Sequence, residues 1–101
     1  MQRIINWFEI PATDFERACA FYERVFAITL RREKTPGMTL GVFPHTDPAT
    51  GGAVACGEQL KPGANGIVIY LDGGDDLAVP LARAEAAGAK VLLPKMQIDP
   101  E

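Results

Sequence analysis

Apolar and polar positions alternate along this chain with two different periods, and the switches between them mark its elements. Over residues 3–10, Trp7, Phe8 and Ile10 anchor a first strand, which Pro11 ends because proline removes a ladder donor. Thr13-Asp14-Phe15-Glu16 reads as a capping box, the Thr13 hydroxyl accepting from the Glu16 amide while Glu16 reaches back to the Thr13 amide. Behind it Phe15, Ala18, Cys19, Tyr22, Val25 and Phe26 fall at helical spacing and predict a helix with one buried stripe.

Period-two segments follow at 28–33, 39–43 and 53–58. Pro36-Gly37 is a turn signal between the first two, since proline pre-sets one backbone angle and glycine accepts a positive φ. Residues 44–52 read as a polar loop, which makes Gly51-Gly52 turn glycines. A second loop, Lys61-Pro62-Gly63-Ala64-Asn65-Gly66, is the clearest internal boundary. Residues 67–71 then predict a strongly apolar fifth strand. Asp72-Gly73-Gly74-Asp75-Asp76 supplies a turn and an acidic cap to a second helix, with Pro80 in its first turn and Gly88 as its left-handed end. Residues 89–93 predict a sixth strand, and 94–101 carry no clear pattern.

Laid over one another without a gap, the halves align Phe8 with Ile69, Ile10 with Leu71, Asp14 with Asp75, Ala18 with Val79 and Leu30 with Val91. Each half reads strand, acidic cap, amphipathic helix, strand. Such a repeat means two similar βαβ-type modules, each covering one sheet face with a helix and leaving the other face open.

Composition narrows the function classes. A chain of 101 residues with 48% hydrophobic and 23% charged side chains is one globular domain rather than a disordered segment. So short a chain buries a modest fraction of its surface, which favours association. The net charge of −3 offers no field to nucleic acid or to an anionic membrane, so neither is an expected partner. Arg31, Arg32 and Lys34 are the one basic cluster, and alternation makes Arg32 and Lys34 a solvated strand face. No apolar run is long enough to span a bilayer, and residues 1–6 lack a signal-peptide pattern, so a cytoplasmic location is expected. Cys19 and Cys56 have no CxxC partner and read as reduced, small hydrophobes in a helix and a strand.

Asn6-Trp7-Phe8-Glu9-Ile10-Pro11-Ala12-Thr13-Asp14-Phe15-Glu16-Arg17-Ala18, followed by Phe21-Tyr22-Glu23-Arg24-Val25-Phe26, resembles the opening module of the vicinal oxygen chelate (VOC) superfamily, which includes glyoxalase, bleomycin-resistance and dioxygenase proteins. Asp75-Asp76-Leu77, Leu81-Ala82-Arg83-Ala84-Glu85-Ala86-Ala87-Gly88-Ala89-Lys90-Val91 and Pro94-Lys95 resemble its second module. The resemblance spans nearly the whole chain and implies an α+β fold of paired βαβββ modules whose curved sheets form a cup. It implies a single VOC-like domain over 1–101, with module one at 1–60 and an incomplete module two at 66–101. Members usually continue with two further strands, which are expected to be missing from this chain.

The resemblance also implies where chemistry should sit. Enzymes of this kind hold one divalent metal in the cup, where it binds two substrate oxygens and stabilises an oxyanion as a Lewis acid. Its ligands come from the first and last strands of each module. Here the first position matches Trp7, which offers no lone pair, and the second matches Val68, flanked by the non-donors Gly66, Ile67 and Ile69. The fourth-strand position falls at or next to Cys56. A site needs about three protein ligands, so no metal and no cofactor is expected; Glu9, Glu58 and His45 are the alternative donor set. No Ser-His-Asp order, phosphate-binding glycine loop or paired-carboxylate motif is present.

Strand alternation puts Phe8, Ile10, Ile69 and Leu71 beneath the helices and Ile5, Trp7, Glu9, Val68 and Tyr70 on the cup side. The expected ligand pocket is therefore Trp7, Glu9, Cys56, Val68 and Tyr70, suited to a small, partly apolar or cationic molecule. The competing reading is that Trp7 and Tyr70 fill the cup as core. The function expected is that of a metal-free, bleomycin-resistance-like binding protein acting as a homodimer, because related proteins commonly close the cup across two subunits. The alternative is a metal-dependent lyase, isomerase or dioxygenase of the glyoxalase type.

Overall fold

The computed structural model describes residues 4–93 and residue 95. The elements run β1 (Trp7–Pro11), α1 (Phe15–Phe26), β2 (Arg31–Thr35), β3 (Met38–Val42), β4 (Gly51–Gly57) and α2 (Ala78–Ala86). The strands form one mixed sheet in the order β1-β4-β3-β2, with β1 parallel to β4 and the other neighbours antiparallel. This is an α+β fold, and its first part is a βαβββ module.

Register settles which residues share a face. Trp7, Glu9 and Pro11 of β1 stand beside Gly51, Ala53 and Ala55 of β4, and the last two stand beside Val42 and Leu40 of β3. The alternate residues turn toward α1, where Ala12, Cys19, Leu30 and Val54 are buried among Phe15, Ala18, Tyr22, Ile28 and Phe43. Leu40, Val42, Ala53 and Ala55 form a second buried cluster on the other face, with Met38 and Leu60 against it. The helix can seat closely because β3 is bare at Gly41: a Cβ there would stand 2.6 Å from the Cys19 sulfur.

The cap of α1 differs from the expected box. Asp14 is the N-cap residue, its carboxylate accepting from the Arg17 amide at 3.3 Å. Asp14 fills the role one residue later than Thr13, and Glu16 turns away to an arginine instead of reaching back. Arg32 of β2 donates to Glu16 at 3.0 Å and to Glu23 at 2.9 Å and lies 5.9 Å from the Phe15 ring centre. Arg32 is thus no solvated bystander but a charged tie from β2 to α1, while Lys34 stays exposed. At the far end Ala27 adopts a left-handed φ of 54°, donating its amide to Glu23.

The Pro36-Gly37 turn forms as expected, with Gly37 at φ +79° between the paired residues Thr35 and Met38. Gly51 and Gly52 are not turn glycines: both lie inside β4, where Gly52 faces the Phe8 ring. The turn expected there ends earlier because the bare backbone is needed for packing.

The second half forms its helix but not its strands. The Asp76 carboxylate accepts from the Ala78 amide at 3.0 Å and pairs with Lys95 at 2.9 Å. Gly88 follows the helix at φ +98°, and the Ala89 amide reaches the Ala84 carbonyl at 2.9 Å. The α2 helix packs on α1, with Arg83 donating to the Val25 carbonyl at 3.4 Å. Residues 67–71 and 89–93 form no strand. Every residue from 61 to 70 is exposed. Alternation marks a sequence able to lie in a sheet, but a strand exists only through a ladder, and among the described residues no strand pairs with these segments. Residues 94 and 96–101 lie outside the described residues. Among the described residues no helix is long and apolar enough to cross a membrane.

Candidate functional site

The open face of the sheet carries a corner of polar and aromatic groups at the β1 edge. Period-two alternation in β1 puts Trp7 and Glu9 on this face together, and the Trp7 indole N–H donates to Glu9 Oε2 at 3.3 Å. Their neighbours on β4 are Gly51 and Ala53, both buried. The His45 ring closes the corner, edge-on to Trp7 with ring centres 6.1 Å apart and planes at 71°.

His45 is held by the loop that joins β3 to β4. Its Nδ1 lies 3.1 Å from the Phe43 carbonyl, which can only accept, so Nδ1 carries the proton and the lone pair of the neutral ring sits on Nε2. The ring covers Gly51, where a Cβ would stand 2.5 Å from Nε2. Thr50 donates to the Ile5 carbonyl at 3.1 Å and ties the same loop to the residues before β1. Trp7 remains 40% exposed, more than a core tryptophan would be. Glu9 is half-buried, and no ion pair among the described residues involves it.

The structure brings together only part of the expected pocket. Trp7 and Glu9 meet. Cys56 shares the helix-facing parity of Val54, and its thiol points at the Thr13 carbonyl 3.9 Å away, on the opposite face from Trp7 and Glu9. Val68 and Tyr70 are 70% and 92% exposed and stand outside the sheet. His45 takes a place that sequence reasoning gave it only as a metal donor. The one signal for its true position was a glycine at the start of β4, across from Trp7.

The alternative donor set does not assemble. Among the described residues no three of His, Cys, Asp and Glu come close enough to hold a metal ion. Trp7 offers no lone pair, so the described residues do not present a divalent metal with the donors it needs.

Apart from Asp76 before α2, held low by Lys95 and then the Ala78 amide, the titrating groups that shift lie on the other side, against α1. Burial pushes the Cys19 thiol up, and Tyr22 likewise. The Arg32 hydrogen bond, and then the Leu30 amide, hold the Glu23 carboxyl below its ordinary value. An open cleft of about 560 Å³ runs between α1 and the end of α2, lined by Asp14, Arg17, Phe21, Arg24 and residues 87–89. It is a seam between two helices, whereas the Trp7 corner brings an indole, a carboxylate and an imidazole together.

A family model described as the Glyoxalase/Bleomycin resistance protein/Dioxygenase superfamily matches residues 4–97. No curated protein and no solved structure matches the chain.

Proposed function

We infer that this protein, which belongs to the Glyoxalase/Bleomycin resistance protein/Dioxygenase superfamily, binds a small molecule on the open face of its sheet without a resident metal. The observation that carries the reading is the β1 edge. The resemblance puts Trp7 where the superfamily would place a metal donor, and Trp7 and Glu9 hold an indole and a carboxylate together at the edge of the sheet. That arrangement recognises a ligand by shape, aromatic contact and charge, not by chelation. In this reading the open face is one wall of a cup, and residues beyond 66 supply the other.

The second wall needs a partner surface. On this reading the protein is a homodimer: β1 pairs only with β4 among the described residues, and Ile67, Val68 and Tyr70 are 96%, 70% and 92% exposed. Open strand edges and apolar runs of this kind pair with another chain.

Elemental analysis of the purified protein tests the metal-free part. The expected result is no stoichiometric zinc, nickel or iron. A stoichiometric metal that is lost in Glu9→Ala would overturn it.

A further inference from the structure

Glu9, Glu23 and Glu33 are the half-buried carboxylates among the described residues. Glu23 and Glu33 each pair with an arginine, whereas the hydrogen bond that Glu9 accepts among those residues comes from the Trp7 indole N–H. A carboxylate with no opposite charge beside it can take one from a bound molecule. We propose that the molecule taken by the Trp7–Glu9–His45 corner is an organic cation, a protonated or quaternary amine. The proposal rests on the open-face reading and adds the ligand's charge to it.

Three features converge. Glu9 provides the countercharge, and its bond to Trp7 Nε1 holds carboxylate and indole in one fixed relation. The indole is the aromatic face most attractive to a cation, and His45 braces it edge-on. The indole is 40% exposed, so part of it stays open to a head group such as a trimethylated nitrogen. Among the described residues no lysine or arginine is paired with this corner. Arg31 shares this face, but it lies in β2 at the opposite edge of the sheet and is already paired with Glu33.

Choline and 3,3-dimethylbutan-1-ol, which share a shape and differ in charge, separate the possibilities. Trp7 is the only tryptophan, so its emission reports on this corner alone. Choline should change that emission saturably, with the neutral alcohol at least ~10-fold weaker, as expected where a cation–aromatic contact and a carboxylate both contribute. Glu9→Gln should weaken choline by a similar factor and leave the alcohol unaffected, while Glu9→Asp should keep part of the preference. Far-ultraviolet circular dichroism checks that both variants fold. Equal binding of choline and the alcohol would overturn the cation and leave the open-face reading standing. No response to either probe would overturn both.

Discussion

Glu23 shows how much one side chain on the helix side of the sheet contributes. Its carboxylate accepts from Arg32 and from the Leu30 amide, each at 2.9 Å, which is why its pKa lies below the ordinary value. The folded state therefore binds that proton less tightly than the unfolded chain. Its stabilisation is complete above the ordinary glutamate pKa and is lost as pH falls through the lowered one. Glu23→Gln should cost about 1 kcal/mol at neutral pH, a modest figure because water reaches Arg32 and screens the pair. Denaturation across acid pH should show the two proteins converging as the wild type protonates. On the open face, alternation alone placed Trp7 and Glu9 together. It could not find His45, whose position depends on loop residues 43–50, where no period exists and a single bare glycine decides what fits.

At the scale of elements, the first four strands and both helices were legible, with ends shifted by a few residues. Their pattern and their partners agree: every strand of the first module has a neighbour, and α1 has a face to cover. Residues 67–71 carry an equally clear pattern and form no strand, because periodicity reports what a segment can bury and not whether a ladder is beside it. Close approach of elements was also hidden, since Gly41 reads as one small residue in a strand. Its true role is to admit the Cys19 sulfur. Gly41→Ala should destabilise by roughly 1–3 kcal/mol, the usual range for overpacking. Gly63→Ala, where the added carbon meets nothing within 4 Å, should be close to neutral. Chemical denaturation of the pair checks this; equal effects would mean that α1 does not seat on β3 as described.

The whole molecule joins a well-packed first module to a second half in which several large apolar residues face water. Ile67, Tyr70, Leu92 and Leu93 are each more than two-thirds exposed, at 96%, 92%, 85% and 69%. Light scattering should give the mass of a dimer, and a monodisperse monomer well above micromolar concentration would rule it out. The central claim, that the Trp7 face binds a ligand without a metal, is tested most directly by Trp7 emission in chelator-treated protein titrated with small apolar and cationic solutes. A saturable change is expected, weakened for cationic solutes by Glu9→Gln, and Trp7→Ala, followed by chemical denaturation, should bring only a moderate loss of stability because the indole is 40% exposed. Emission indifferent to every solute, with Trp7→Ala costing the ~3–5 kcal/mol of a core aromatic, would contradict it and make Trp7 plain core.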